Sequence, residues 1–502
     1  MSAERERASR EARGVFTNAL TLLAQAAMPA FHVQLARVLG VSGYGTYVWA
    51  NMVVDFLSLV TLCGMDQYVV REVGAAHARG DDAAAARTVG AALRVVTLSG
   101  VAVSAAIFAL APWATAQDGQ REALVPLRVL SLVPVFFHAA TLLLVATQAR
   151  LEMRYDFIAR GLFQPLALLA FTTLALRVWG TVGAAAVAVV VAMALTTGVA
   201  LAGYGRELSV RDTLRHAARA PTDWRAIRAA LPYVATNLVW AASGRIDALV
   251  LKRLAGAAEM GAYAACTLYV VSISQTRGIF VPVITARIPG ALRDDDRAAV
   301  REVLARQTRW CAMTVLPLAV LFGGLGDPLL RVFGRSFTGG ATAMAILTVG
   351  HLVSAVSLSS YVLPMGRRPW LSTLCAAFSV LVQALTLPWL VRRYGLTGAA
   401  IASSVGLGTA QLGQSLLAWW FFGAHGLSRG FAKAVLAALA ALLVARGSYG
   451  ALAALPLLGR FGISVALAAA TYVGGVAALG LEPEDRVLAL EAARSLRARL
   501  RR

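Results

Sequence analysis

Long apolar stretches recur along the chain, each near the length of one membrane crossing and most closed off by a short run of charge. At about 1.5 Å per residue, a helix needs roughly 20 apolar residues to cross a hydrocarbon core ~30 Å thick, and about 14 segments meet that length. They lie near 15 to 38, 46 to 70, 88 to 113, 124 to 147, 157 to 177, 180 to 203, 229 to 254, 260 to 286, 308 to 333, 340 to 363, 370 to 391, 396 to 421, 432 to 455 and 461 to 480. The predicted fold is an all-α polytopic membrane protein.

Composition and charge sharpen that picture. Of 502 residues, 58% are hydrophobic and 15% charged, and the mean hydropathy is +0.67, outside the range of soluble globular chains. The net charge of +21 does not indicate nucleic acid, because the basic residues fall in short loops rather than in one patch. That is the positive-inside pattern. An even number of spans puts both termini on one side. With the N-terminus inside, Arg5, Arg7, Arg10 and Arg13 are cytoplasmic, together with Arg71, Arg79, Arg87, the basic stretch around Arg206 to Arg228, Arg293 to Arg306, Arg367, Arg368 and the tail from Arg486. Arg392 and Arg393 are the main exception. The four cysteines, Cys63, Cys266, Cys311 and Cys375, stand singly in apolar segments and read as small core residues rather than as a metal or disulfide framework. No cleavable signal peptide is expected, since the first apolar segment is too long for one. The chain also lacks the phosphate-cradling G-x-x-x-x-G-K-[ST] loop, so ATP hydrolysis by it is not expected.

The sequence matches itself at an offset of 253 − 37 = 216, with Arg37 on Arg253. Gly40 then meets Gly256, Gly45 meets Gly261, Tyr47 meets Tyr263, Val54 meets Val270, Ser58 meets Ser274, Arg71 meets Arg287 and Gly74 meets Gly290. Farther on, Gly180 and Gly183 meet Gly395 and Gly398 at an offset of 215. An even number of spans per copy makes the repeats parallel, an arrangement that builds transporters with a site near the midplane. The expected organisation is an N-terminal six-helix lobe (1–203), a basic cytoplasmic linker (204–228), a C-terminal six-helix lobe (229–422), two additional transmembrane helices (423–480) and a basic cytoplasmic tail (481–502).

Charge inside the spans is concentrated in the stretch from Leu231 to Gly261, which carries Asn237, Arg245, Asp247, Lys252 and Arg253. Arg245 would lie roughly 21 Å from one end and roughly 16 Å from the other. A charge there costs about 2.5 to 3.5 kcal/mol on insertion scales, so it should face a polar cavity or a partner. Arg245 and Asp247, two residues apart, point to opposite sides of a regular helix and cannot pair with each other. In the first span Asn18, Gln25 and His32 form one polar stripe with Thr21. In the second, Asn51, Asp55, Ser58 and Asp66 form an acidic stripe. Thr267, Ser274 and Arg277 share a face of the eighth.

Arg37, Gly40, Gly45 and Tyr47, their copy Arg253, Gly256, Gly261 and Tyr263 preceded by Asp247, and the Gly180/Gly183 turn with its partner Gly395/Gly398 together resemble bacterial polysaccharide flippases of the multidrug/oligosaccharidyl-lipid/polysaccharide exporter superfamily. The resemblance implies two parallel six-helix lobes around a central cavity, two further C-terminal helices, and a non-enzymatic flippase of the bacterial inner membrane. Its cargo would be an undecaprenyl-diphosphate-linked oligosaccharide, moved from inner to outer leaflet for surface polysaccharide. Expected partners are that lipid-linked oligosaccharide, membrane lipids, a polysaccharide polymerase and glycosyltransferases, with no nucleic acid, metal or organic cofactor. On this reading Arg245 and Arg277 offer guanidinium groups to a diphosphate, with Asn237, Asn18 and Gln25 as further substrate-binding residues. Asp55, Asp247 and His32 are the candidates to carry H+ or Na+. The competing reading of Arg245 is a structural pair with Asp55. Lipid II flippases look similar but carry arginines in the first spans, whereas no arginine falls between Arg13 and Arg37 here. A cation-coupled drug exporter of the same superfamily is the nearest alternative. A polymerase or ligase would need a sizeable outer loop, which the spacing of the spans does not provide.

Overall fold

A computed structural model describes residues 2–62, 64–116, 121–219, 245–366 and 370–479, with side chains from Ala27 onward. Every regular element among them is helical. In order they are α1 (Ser2–Ser58), α2 (Met65–Ala78), α3 (Asp82–Thr115), α4 (Arg121–Ala149), α5 (Arg154–Val178), α6 (Val182–Tyr204), α7 (Val210–Arg219), α8 (Ile246–Ala255), α9 (Ala257–Thr276), α10 (Val281–Arg293), α11 (Arg297–Gly324), α12 (Arg335–Val356), α13 (Trp370–Phe422), α14 (Arg429–Ala451) and α15 (Leu457–Ala478).

Eight described helices are long and apolar enough to cross a membrane, or nine if α9 and α10, bent by 43° at their junction, count as one span. The tally stays below the expected one partly because helices run on through turns. α13 has 53 residues, about 80 Å at 1.5 Å per residue, and contains both spans expected between 370 and 421. It doubles back at Gly395, whose φ of 55° and ψ of −131° an L side chain does not readily adopt. α1, with 57 residues, breaks in the same way at Gly40 (φ 68°, ψ 179°).

These breaks fall on the matched positions of the repeat. Gly256, the counterpart of Gly40, has φ 96° and ψ 178°, and Gly180, the counterpart of Gly395, has φ 59°. The matched pairs Gly40/Gly256 and Gly180/Gly395 therefore share positive-φ backbone, which favours glycine in both copies.

The second expected span, 46 to 70, is not one straight helix. α1 ends at Ser58, the chain turns through 59–62, and Gly64 (φ 71°) precedes the new helix α2. Asn51, Asp55 and Ser58 keep their shared face, but Asp66 stands in the first turn of α2 and leaves the stripe.

The chain forms two compact units, Met1–Gly261 and Ala262–Arg502. In the first, Met65, Val69 and Val73 of α2 pack with Val89 and Val96 of α3 and Leu142 and Ala146 of α4. α7 is a short amphipathic helix seated on α3, where Gly90 leaves no room for a Cβ beneath the Thr213 carbonyl. In the second unit, Ala434, Ala437, Ala438, Ala441 and Ala445 of α14 form a seam at helical spacing against Ala312, Leu316 and Val320 of α11. Small residues let helices approach closely where lipid offers no hydrophobic drive to association. α8 lies in the first unit, packed on α1, although the repeat begins its second copy there.

Candidate functional site

The end of α1 and the start of α8 run antiparallel side by side, as two contacts fix. Near one end, the Lys252 ammonium sits 4.0 Å from the centre of the Trp49 ring. About two turns away, Arg245 Nη2 lies 4.0 Å from Asp55 Oδ2. Asn51, one turn before Asp55, donates from Nδ2 to the same Oδ2 at 3.1 Å, and the Ser58 hydroxyl donates to the Asp55 carbonyl at 2.8 Å. Asn51, Asp55 and Ser58 meet because α1 is regular here, so their spacing of four and three residues stacks them on one face.

Arg245 does not sit mid-helix as expected. It immediately precedes α8, with φ −136° and ψ −15°, and the helix begins at Ile246. That placement answers how Arg245 and Asp247 coexist two residues apart. Arg245 reaches Asp55, while Asp247, 4% exposed, turns inward and accepts the Ala248 N–H at 2.8 Å. At 4.0 Å the Asp55–Arg245 contact is an ion pair without a hydrogen bond, and the two side chains are 40% and 31% exposed. Among the described residues the Arg245 guanidinium, with five N–H donors, makes no closer polar contact than this one. Lys252 is the opposite case: it is 3% exposed, and its ammonium has the Trp49 ring beneath it but makes no hydrogen bond to described residues. A buried cation against an indole is held by the ring's electron-rich face.

His32 is fixed by its own helix pair. Its Nδ1 lies 3.1 Å from the Tyr44 hydroxyl, across the Gly40 break, and Phe31 packs edge-on to the ring at 5.0 Å. Two residues along, Gln34 Oε1 accepts from the Thr173 hydroxyl of α5 at 2.9 Å, a polar contact not visible in the sequence.

Arg277 belongs to the second unit, in the single 3-10 turn that closes α9. Its Nη1 donates to the Ser354 hydroxyl at 3.1 Å and carbonyl at 3.3 Å, and its guanidinium lies 5.6 Å from the Tyr361 ring centre. Ser274, on the same face as expected, is 3.0 Å from His351 Nδ1. Thr267 instead bonds back to the Ala264 carbonyl of its own helix. His351, Ser354 and Tyr361 were not singled out in the sequence. The signal was faint: one histidine and one serine three residues apart in an apolar span.

Among the sequence-predicted residues, then, Asp55 and Arg245 come together and Asp247 does not join them. His32 has a tyrosine partner and Arg277 a serine–histidine surround. Asn237 and the side chains of Asn18 and Gln25 lie outside the described residues, as does the C-terminal basic tail. A cavity of about 960 Å³ in the second unit, lined by Val353, Leu412, Leu416, Trp419 and Phe431 among others, is largely apolar and contains none of the predicted site residues.

Residues 12–290 match the family model described as polysaccharide biosynthesis protein. No curated protein matches in sequence. Among solved structures, the chain is similar to a lipid II flippase, MurJ, in an inward closed conformation, with 13% identity, 92% of this chain and 98% of that one covered, and a TM-score of 0.69. It is also similar to an inward-facing multidrug resistance MATE family transporter of the MOP superfamily, with 16% identity, 80% and 98% covered, and a TM-score of 0.64. A third is a MOP superfamily transporter from Pyrococcus furiosus, described as having a binding pocket of reverse polarity, with 16% identity, 80% and 93% covered, and a TM-score of 0.57. At these identities the likeness is one of fold, and the fold is that of multi-pass membrane transporters.

Proposed function

The chain belongs to the polysaccharide biosynthesis protein family, and from that premise we propose that it is a flippase for an undecaprenyl-diphosphate-linked oligosaccharide. The cargo moves from the inner to the outer leaflet of the bacterial inner membrane by alternating access, with both termini cytoplasmic, and supplies surface polysaccharide. A diphosphate headgroup needs fixed cations in a low-dielectric setting, while its polyprenyl tail can stay in lipid.

The observation that supports this most directly is the loose Asp55–Arg245 pair. A guanidinium held near, but not hydrogen-bonded to, a carboxylate can exchange that carboxylate for phosphate oxygens in bidentate geometry. Asp55, released, is then free to take up H+ or Na+, which ties cargo binding to a coupling ion. Arg277 is the second cation offered to the cargo, on a serine carbonyl and hydroxyl that a phosphate can replace. Asp247 and His32 remain coupling candidates of lower priority, the one turned inward and the other held by Tyr44.

Arg245→Ala is expected to abolish surface polysaccharide while the protein remains in the membrane at normal level. Normal polysaccharide in that strain would sink the site assignment. Deleting the gene separates the main alternative: drug hypersensitivity with intact polysaccharide would make the protein a drug exporter instead.

A further inference from the structure

The apolar cavity of the second unit, about 960 Å³, has the size of a ligand site and contains polar atoms that no described residue satisfies. Thr308 Oγ1, Ser415 Oγ and His425 Nδ1 belong to residues that line it, and each is buried without a hydrogen-bond partner among the described residues. Thr308 is only 2% exposed. A helical hydroxyl commonly bonds back to the carbonyl one turn earlier, as Thr409 on the same cavity wall does to Val405 at 2.8 Å. Thr308 and Ser415 do not, and a buried donor left unmade is costly. Gly426, in the loop between α13 and α14, lies so close to Thr308 that a Cβ there would overlap the hydroxyl oxygen. Glycine at this position lets the loop come down onto α11.

These atoms sit toward one end of a long apolar wall. Val405, Gly408, Leu412, Leu416 and Trp419 of α13 recur at helical spacing along the cavity. Their run is about 21 Å at ~1.5 Å per residue, against about 15 Å for half of a hydrocarbon core. Leu412, Leu416 and Trp419 are exposed, so the wall opens outward, and Gly408 hollows it, since a Cβ there would meet nothing within 4 Å. Trp419 and Trp420 mark the headgroup level, where aromatic residues gather, and Ser415 lies one turn deeper. Charge at this end has one sign. Arg301 Nε donates to the Gly423 carbonyl at 2.9 Å, and Arg429, exposed, opens α14. No aspartate or glutamate occurs from Pro328 to Leu481, so the walls from α12, α13 and α14 carry no carboxylate. Around the start of α11, Asp295 pairs with Arg297, Glu302 pairs with Arg306, and Asp296 accepts the Ala299 N–H.

We propose that this cavity binds one anionic glycerophospholipid on the lipid-facing side of the second unit. The phosphate takes the cationic end, with Arg429 beside it and the Thr308 hydroxyl and His425 ring as donors. One turn deeper, the Ser415 hydroxyl donates to an ester carbonyl, and the acyl chains lie along the wall over Gly408. The depth of Ser415 separates this ligand from a polyprenyl phosphate, which has no ester oxygen below its headgroup. A zwitterionic lipid would bring an ammonium group against Arg301 and Arg429. Basic pockets between transmembrane helices take anionic headgroups in this way. On the orientation proposed above, the site lies in the cytoplasmic leaflet. It goes beyond the flippase reading and does not depend on the cargo.

The test is native mass spectrometry of the full-length protein in mild detergent, titrated separately with dioleoyl phosphatidylglycerol, dioleoyl phosphatidylethanolamine and undecaprenyl phosphate. The expected result is a single retained phosphatidylglycerol, bound about tenfold more tightly than phosphatidylethanolamine, the worth of one charge-assisted hydrogen bond. G408L fills the hollow of the wall and should remove this binding. V405W blocks the same wall from an exposed position and replaces G408L if that variant unfolds at a lower temperature than wild type. R429Q should erase most of the preference for the anionic headgroup. Equal phosphatidylglycerol binding by wild type and the blocked variant, or equal binding of the two phospholipids by wild type, overturns the proposal. So does undecaprenyl phosphate that displaces phosphatidylglycerol at equal concentration, which would give the groove to a polyprenyl chain. A deletion strain with normal surface polysaccharide would remove the cargo reading and leave these affinities untouched, so the two can fail separately.

Discussion

At the scale of single residues, the useful distinction is between a charge that is neutralised and one that is merely accompanied. Arg245 is accompanied: Asp55 stands 4.0 Å away and both side chains keep partial exposure. Lys252 is enclosed, on Trp49 and 3% exposed. Substitution should separate the two. Arg245→Lys keeps the charge but loses the planar fork, and flipping in reconstituted vesicles should slow by on the order of tenfold to a hundredfold, the worth of one charge-assisted hydrogen bond. A lysine variant as fast as wild type would show that charge alone matters. The sequence makes Arg245, Asp55 and Asp247 conspicuous, because charges in apolar segments are few. Their pairing is not visible there, since it depends on how α1 and α8 pass each other. His351 and Ser354 show the limit from the other side. An isolated histidine or serine in an apolar span looks like filler until its neighbours are known.

At the scale of elements, hydropathy outlines the helices well and their interruptions poorly. α3, α4, α5 and α6 fall where apolar length places them. The break after Ser58 and the π-helical turn Phe157–Phe163 of α5 do not, because the first lies in mostly apolar sequence and the single Arg160 in the second does not mark a change of helix type. The glycine matches of the repeat are the exception, since identical residues at a fixed offset give away a shared backbone demand. A Cβ at Gly40 or Gly256 would meet nothing within 4 Å, so alanine at either position acts through backbone strain alone. Gly40→Ala and Gly256→Ala should therefore destabilise by similar amounts, about 1–3 kcal/mol each, read as loss of thermal stability in detergent. A large difference between them would mean that the two turns are not equivalent. Gly45 and Gly261 are constrained differently. A Cβ on Gly45 would collide with the Ala257 carbonyl oxygen, and one on Gly261 with the Val41 carbonyl oxygen. Here it is close approach, not φ, that demands glycine.

At the scale of the whole molecule, charge asymmetry is the strongest statement the sequence makes. It predicts that a fluorescent protein fused after Ala478 folds in the cytoplasm and that alkaline phosphatase at the same point is inactive. Active phosphatase would reverse the orientation. Arg392 and Arg393, the exception to that pattern, precede the Gly395 turn of α13, and the Arg393 guanidinium lies 5.8 Å from the Trp389 ring centre and 5.5 Å from that of Tyr394. Aromatic residues at a membrane boundary give a cation a seat that does not depend on which side is cytoplasmic. The glycine contact carries a historical consequence. Val41 and Ala257 are themselves matched by the offset of 216, so Gly45 meets the partner of Val41 exactly as Gly261 meets the partner of Ala257. An exchange of that kind is what a two-fold axis produces between identical subunits. Before the gene doubled, one copy of the repeat would have met a second copy of itself here, and a single codon would have served both sides of the crossing. Fusion gave that codon two independent descendants, and in this chain both still read glycine.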